Sequence, residues 1–298
     1  METVSEVARL RHVVAGWKRE GALIGFVPTM GALHEGHLSL VRIARERADR
    51  VVASVFVNPT QFGPQEDLTR YPRSPERDAE LLASAGCDLL FLPKVETIYP
   101  PGHATFVEPS GAAHGLEGEL RPGHFRGVAT VVTQLFHLMQ PDLAVFGEKD
   151  AQQLAVVRQL VRDLHLPVEI VAGPTVRESD GLAMSSRNAY LEPDERRAAA
   201  VLHRALREAE AAIAAGERSA AAVCERLRAT LAGEPQVTID YVAAVDADSF
   251  RPVGTLAGNV VLPIAVRLGS TRLIDNLRLR VTPTGIAPSP LPAAATLA

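Results

Sequence analysis

The hydrophobic positions between residues 23 and 174 alternate between two patterns. Runs of consecutive apolar residues, such as LIGFVP at 23–28 and VVASVFVNP at 51–59, predict parallel strands that are buried on both faces. Between these two runs, HLSLVRIARERADR at 37–50 places apolar residues at helical spacing. Such an alternation is typical of βαβ units, in which a helix connects two parallel strands.

The same alternation continues along the chain. Further helices are predicted in SPERDAELLASAG (74–86), HFRGVATVVTQLFHLMQ (124–140) and AQQLAVVRQLVRDL (151–164). Further strands are predicted in CDLLFLP (87–93), DLAVFGEKD (142–150) and PVEIVAGP (167–174). The pattern therefore predicts an α/β fold with a Rossmann-like, doubly wound parallel sheet.

The pattern changes near residue 185. Two helices are predicted, from Glu192 to about Gly216 and in SAAAVCERLRATLAG, and strands follow in VTIDYVAAVD, NVVLPIAVRLG and TRLIDNLRLRV. We therefore expect a Rossmann-like domain at 1–184 and a smaller C-terminal α+β domain at 185–282 that closes over a site near the junction. The Pro- and Ala-rich stretch 283–298 is predicted to be a disordered tail.

Composition and charge exclude several classes of protein. The net charge of −4 offers no basic field for a nucleic acid, and no run of about 18 apolar residues predicts a membrane span. The N-terminus lacks the pattern of a signal peptide. Cys87 and Cys224 are far apart, which argues against a disulfide scaffold and predicts two buried thiols in a cytoplasmic protein.

The first predicted strand ends in VPTMGALHEGH (27–37), which contains two glycines and two histidines. In an open parallel sheet, ligands bind at the carboxyl ends of the strands. Gly31 and Gly36 allow a phosphate to approach the backbone, and the helix that begins there offers N–H donors. A zinc site is disfavoured because His34 and His37 are three residues apart, not four as in H-E-x-x-H. An ordinary turn with capping histidines remains an alternative.

Polar residues also follow the next strand. SVFVNPTQFGPQEDLTRYPR (54–73) places Asn58 and Gln61 directly after a buried run, where their amides can hydrogen-bond a small polar substrate. The rest of this stretch is interpreted as a lid that excludes water. A long solvated loop is the alternative interpretation.

Two cationic clusters complete the candidate chemistry. FGEKDAQQL (146–154) places Lys149 near a helix N-terminus, where it can meet a phosphate, and VRESDGLAMSSRNAYL (176–191) contains a Ser-Ser-Arg group that suits a triphosphate. Taken alone, each could be an ordinary helix cap. Four polar clusters at strand ends together favour a nucleotide site, although neither GxxxxGK[ST] nor GxGxxG occurs.

These motifs carry a family resemblance. HEGH resembles the HxGH signature of the nucleotidylyltransferase and class I aminoacyl-tRNA synthetase superfamily, and MSSR resembles its mobile phosphate-binding motif. Five stretches in order between residues 20 and 190 are similar to the pantothenate synthetase (pantoate–β-alanine ligase) family: PTMGALHEGH, FVNPTQFGPQEDLTRYPR, RPGHFRGVATVV, FGEKDAQQL and DGLAMSSRNAYL. A weaker similarity lies in RLIDN.

The resemblance implies a ligase that couples D-pantoate to β-alanine with ATP and magnesium, through pantoyl adenylate. His37 is implied to be catalytic, and His34 and Lys149 are expected to stabilise developing charge with it. Gln61 and Gln153 are implied to bind pantoate, next to Asn58 and Met30. The implied ATP-binding residues are Met30, Gly31, Ala32, Leu33, His34, Glu35, Gly36, His37, Gly147, Glu148, Lys149, Asp150, Val176, Met184, Ser185, Ser186 and Arg187. A homodimer is also implied; no magnesium ligands are assigned.

Three alternatives are weighed against this interpretation. A nucleotidylyltransferase for a phosphorylated acceptor would need further Arg or Lys residues near the second substrate, where the sequence has Asn and Gln. A tRNA synthetase would need a basic face. A non-catalytic nucleotide sensor would not require Lys149 and both histidines.

Overall fold

The structure, a computed structural model, describes residues 1–64 and 66–287. Its residues form two compact units. The first unit comprises Met1–Gly147 and Val156–Gly173; the second comprises Glu148–Ala155 and the described residues from Pro174 onwards. The domain limits 1–184 and 185–282 stay a prediction.

The first unit contains a six-stranded sheet in which every paired strand is parallel. Its strands are β1 (Glu2–Val4), β2 (Ile24–Thr29), β3 (Arg50–Val55), β4 (Leu89–Phe91), β5 (Leu143–Gly147) and β6 (Glu169–Gly173). The helices of this part of the chain are α1 (Val7–Arg19), α2 (Glu35–Arg47), α3 (Pro75–Ser84), α4 (Val95–Ile98), α5 (Glu117–Leu120), α6 (His124–Met139) and α7 (Ala151–Asp163). The doubly wound parallel sheet predicted from the sequence is confirmed.

The strand order is β1-β4-β3-β2-β5-β6. From β2 the chain moves outward through β3 to β4, and it then returns to place β5 on the other side of β2. The direction of winding therefore reverses between β2 and β5. In sheets of this kind the crevice for a ligand lies beyond the carboxyl ends of the two strands at this switch point.

Apolar side chains cover both faces of this sheet, as consecutive apolar runs predict. One face is covered by α2 and α3, whose Val41, Ala44 and Leu82 are completely buried. On the other side, Phe136 of α6 makes edge contacts with Phe26 and Phe146, with ring centroids 6.3 and 6.4 Å apart. Packing on both faces of the sheet holds the strands in place, and the candidate site is built on the ends of these strands.

The second unit is an α+β structure with an antiparallel sheet in the order β11-β10-β9-β7, and β8 pairs with β9. Its helices are α8 (Pro193–Ala198), α9 (Val201–Ala214) and α10 (Ala220–Ala232), and its strands are β7 (Val237–Val242), β8 (Val245–Asp246), β9 (Gly258–Leu268), β10 (Thr271–Thr282) and β11 (Gly285–Ala287). Leu206 of α9 and Leu227 of α10 are buried in one apolar core with Leu262 and Val266 of β9. The C-terminal α+β fold is confirmed.

Three local features differ from the sequence expectation. The pattern does not predict β1, which pairs with β4. The helix expected over 192–216 divides at Ala199–Ala200, where the Ala200 and Leu202 N–H groups bond to the third preceding carbonyl rather than the fourth. The prediction of disorder from residue 283 is wrong at 285–287, because these residues form β11 through a hairpin with β10. Residues 288–298 lie outside the described residues.

Both cysteines are free and buried, as expected. Burial raises the pKa of the Cys87 thiol to about 11, so the thiol stays protonated at neutral pH. None of the helices in the described ranges has the length and apolar character that crossing a bilayer requires.

Candidate active site

The turn after β2 is organised by its two histidines. His34 is the N-cap residue of α2, and its Nδ1 accepts a hydrogen bond from the Gly36 N–H at 3.2 Å. The Nδ1 of His37 accepts in return from the His34 N–H at 3.4 Å, which completes a capping box. In a neutral imidazole whose Nδ1 accepts, the ring proton lies on Nε2. The histidines therefore do cap this turn, which was the alternative considered from the sequence. Because Nδ1 accepts the capping hydrogen bond, the N–H that can donate to an anion lies on Nε2.

Asp78 of α3 holds the backbone of the same turn. Its Oδ2 accepts from the Ala32 N–H at 3.0 Å and its Oδ1 accepts from the Leu33 N–H at 2.9 Å. Asp78 is 2% exposed, and the turn it holds has positive φ at Gly31 (82°) and Ala32 (51°). Positive φ is unfavourable for a residue with a Cβ, so these hydrogen bonds help to offset the strain at Ala32. Sequence reasoning missed Asp78.

A methyl group at Gly31 should distort this turn. A Cβ there would lie 2.8 Å from Asp78 Oδ2 and 3.0 Å from Val55 Cγ1, in addition to the strain of positive φ. We expect Gly31→Ala to lower the free energy of unfolding by about 2–5 kcal/mol, measured in urea. Gly102→Ala is the matched control, because φ is 83° there and a Cβ would meet nothing within 4 Å. A control loss as large as that of Gly31→Ala would contradict the steric argument.

Asn58 is buried behind the turn that follows β3. It is 1% exposed, its Oδ1 accepts from the Tyr99 hydroxyl at 2.8 Å, and its Nδ2 donates to Gln61 Oε1 at 2.9 Å and to Gly127 O at 3.1 Å. Gln61 in turn directs its Nε2 to Met30 Sδ at 3.2 Å. The structure therefore brings together three of the residues expected at the substrate site, and Asn58 orients Gln61.

The first turns of α6 support Gln61 from behind. A Cβ at Gly127 would lie 2.5 Å from Thr60 O and 2.7 Å from Gln61 Cα, so only glycine allows this close approach. His124 Nδ1 lies 2.9 Å from Gln61 O, and its Nε2 lies 3.2 Å from Arg121 Nη1. A carbonyl accepts and a guanidinium donates, so His124 is the neutral tautomer with its proton on Nδ1.

Arg121 links this support to the loop that follows Gln61. Its Nε and Nη2 form a bidentate pair with Glu66, at 2.9 and 2.7 Å. Burial acts to raise the pKa of Glu66, but the hydrogen bonds and charge of Arg121, together with His124 and the Gly63 backbone, lower it overall. The motif RPGHFRGVATVV, for which sequence reasoning assigned no residue role, therefore supplies Arg121, His124 and Gly127 as supports of Gln61.

His124 should make stability depend on pH. Burial and then the charge of Arg121 lower its pKa to about 4, although Gln61 O, Glu117 and Glu66 act in the opposite direction. The unfolded chain binds this proton near pH 6.5, so stability falls as pH drops from about 6.5 to about 4, by about 3 kcal/mol. His124→Asn should remove this part of the pH dependence in urea unfolding curves. An unchanged slope in the variant would contradict the assignment.

The turn after β5 carries Lys149 and belongs to the second unit. It is a 3-10 turn over Glu148–Asp150, and Lys149 Nζ lies 3.6 Å from Asp150 Oδ1. The Lys149 side chain is 20% exposed. Gln153 lies in the first turn of α7 and is half-buried. Lys149 thus stands at the carboxyl end of a parallel strand, as the sequence predicts.

A hairpin in the second unit carries the remaining predicted residues. The Met184 N–H donates to Val176 O at 2.9 Å, which makes these two residues direct neighbours. Ser185 Oγ then accepts from the Arg187 N–H at 3.3 Å and caps a short 3-10 helix over Ser186–Tyr190. The Ser-Ser-Arg group is therefore a cap, the alternative considered from the sequence, and it still places a guanidinium and hydroxyl groups within one turn.

The comparison with protein families settles the class of this chain. The model described as "Pantoate-beta-alanine ligase" matches residues 2–278. The chain belongs to this ligase family. A pantothenate synthetase of Moorella thermoacetica is 54% identical over 281 residues, which are 94% of this chain and 99% of that protein.

Solved structures of ligases from this family share the fold. A pantothenate synthetase from Thermus thermophilus has a TM-score of 0.86 at 52% identity, covering 93% of this chain and 99% of that one. A pantoate–β-alanine ligase from Francisella tularensis, complexed with β,γ-ATP and β-alanine, has a TM-score of 0.77 at 34% identity, covering 93% and 97%. The resemblance stated from the sequence motifs is confirmed, and the chain is a ligase.

Proposed function

We propose that this chain condenses D-pantoate with β-alanine to give pantothenate. In the first step a pantoate carboxylate oxygen attacks the α-phosphorus of ATP, and the bond to pyrophosphate breaks. In the second, the amine of β-alanine attacks the carbonyl carbon of pantoyl adenylate, AMP leaves, and the nitrogen loses a proton. The observation that carries this proposal is the family match over residues 2–278, together with a donor-rich turn at the sheet's switch point.

Charge stabilisation is the main task that we assign to the ATP-binding residues. Attack at phosphorus builds negative charge on the phosphoryl oxygens and on the departing pyrophosphate, where fixed donors lower the barrier. The ring Nε2 atoms of His34 and His37 and the ammonium of Lys149 are suited to this role. The proposed ATP-binding set is Met30–His37, Gly147–Asp150, Val176 and Met184–Arg187.

Pantoate recognition is assigned to uncharged groups. Gln61 and Gln153 hydrogen-bond the hydroxyl and carboxylate groups of pantoate, and Met30 contacts the substrate beside Gln61. Asn58 acts by holding Gln61 rather than by binding pantoate. A cation in this position would neutralise the attacking carboxylate, whereas an amide orients it and leaves its charge. The carboxylate needs no general base, which agrees with a site built from donors.

Magnesium fits this site only as an ion that is bound through ATP. In residues 1–64 and 66–287, no three His, Cys, Asp or Glu side chains are grouped so that they could hold a metal ion. Mg²⁺ commonly keeps several waters and is bound through substrate phosphates, where it neutralises charge. We accordingly propose that ATP oxygens and water supply most of its ligands. We further propose a cytoplasmic homodimer.

The test is an ATP–pyrophosphate exchange assay with and without pantoate, followed by addition of β-alanine. We expect exchange only when pantoate is present, and conversion to AMP and pantothenate when β-alanine is added. Exchange that ignores pantoate would point to a nucleotidylyltransferase with another acceptor. Nucleotide binding with no exchange under any of these conditions would point to a non-catalytic sensor.

A further inference from the structure

Asn276 of β10 holds the turn that carries Lys149. Its Nδ2 donates to two consecutive carbonyl oxygens, Glu148 O and Lys149 O, each at 2.9 Å. Asn276 is 7% exposed, so both amide protons are directed at this piece of backbone inside the second unit. The RLIDN motif, which had no role in the sequence analysis, thus contacts a segment that we assign to ATP.

The neighbouring residue, Asp275, holds a second such segment. Its fully buried carboxylate accepts two hydrogen bonds from Arg177, at 2.6 and 3.0 Å, and Arg177 Nη1 also donates to Gly181 O at 3.0 Å. Arg177 directly follows Val176 in the hairpin that ends at Met184. Asp275 therefore fixes the hairpin on which these two proposed ATP-binding residues lie.

The two contacts are joined through one strand. Successive side chains of a strand leave on opposite faces, so β10 reaches the turn through Asn276 and the hairpin through Asp275. The Asn276 N–H also donates to Asp275 Oδ1 at 2.7 Å. The strand β10, which pairs antiparallel with both β9 and β11, therefore holds the backbones of both segments.

We propose that Asn276 is a positioning residue for the adenylation step, which acts by fixing the backbone that carries Lys149. This inference rests on the proposed function, because it assumes that Lys149 meets the phosphates of ATP. The four-carbon stem of a lysine has a limited reach, so a shift of its backbone changes where its ammonium can be placed. A misplacement of about 1 Å can cost about 10²-fold in rate.

The test compares Asn276→Ala with Asn259→Ala, a change at an exposed asparagine of β9 in the same sheet. In pantoate-dependent ATP–pyrophosphate exchange we expect Asn276→Ala to lower kcat about 10- to 100-fold, and Asn259→Ala to leave kcat unchanged. Asn276→Ala is then also made in a Lys149→Ala background. If Asn276 acts through Lys149, its removal there should cost less than about twofold, because the group it positions is already absent.

Two outcomes would overturn the inference: wild-type exchange in Asn276→Ala, or an equal loss of kcat in the Lys149→Ala background. Circular dichroism confirms folding at the assay temperature. Should Asn276→Ala not fold, Asn276→Gln keeps both donors on a longer arm and is judged by the same two criteria. Failure of the proposed function is distinct, because the wild-type chain would then show no pantoate-dependent exchange.

Discussion

His37→Ala is expected to lower the rate of pantoate-dependent pyrophosphate release about 10²- to 10³-fold, which is the usual cost of removing one preorganised donor. The capping hydrogen bond of Nδ1 places the ring proton on Nε2, and the change removes that donor.

Lys149→Ala is expected to cause a loss of the same order, because it removes a cation from the proposed phosphate site. Single-turnover release of labelled pyrophosphate measures both. Normal turnover in either variant would contradict the site assignment.

The capping role of His37 requires its own control. In His37→Asn the side-chain oxygen can replace Nδ1 as the acceptor for the His34 N–H, but no donor reaches the position of Nε2. If His37 acts through its ring donor, the asparagine variant should be as slow as the alanine variant. Recovery of the rate with asparagine would instead show that the cap alone is important.

Arg177→Met should strongly destabilise the second unit. Asp275 is fully buried, and without the guanidinium its carboxylate would be left inside the protein without a compensating charge. Breaking such a pair typically costs about 3–5 kcal/mol, whereas replacing both partners by apolar residues is often close to neutral. Urea unfolding should therefore show a large loss of stability for this variant.

The double variant Arg177→Met/Asp275→Leu is the control for this prediction. It removes the charge together with its partner, so it should recover most of the stability lost in the single variant. A loss in the double variant equal to or larger than that in Arg177→Met would show that the packing of Arg177, rather than the buried charge, stabilises the hairpin.

The regular elements, and the turns on which the candidate site is proposed, could be predicted because their signals are local. The strands of the first sheet are short apolar runs, and the turns that follow them carry unusual combinations of glycine, histidine, amide and lysine. β1 has only three residues, too few for a period to be recognised. The interruption between α8 and α9 lies in an alanine-rich stretch that offers no signal for a break.

The supporting residues could not be predicted because their partners are distant in sequence. Asp78 lies 46 residues from Ala32, His124 lies 63 from Gln61, and Asn276 lies 128 from Glu148. Within its own helix, an acid near the N-terminus such as Asp78 is sufficiently explained by the helix dipole. Only the fold shows that the buried carboxylate caps the turn of another segment.

The position of β5 in the first sheet has a consequence for synthesis on the ribosome. β2, β3 and β4 emerge one after another and can pair as they appear, whereas β5 pairs with β2 and begins more than 110 residues after it. Until residue 147 has left the exit tunnel, one edge of β2 has no strand to pair with, although this strand is apolar on both faces. Unpaired edges of this kind favour aggregation. The interval in which the segment between β4 and β5 is made is therefore one in which the nascent chain is exposed to misassembly.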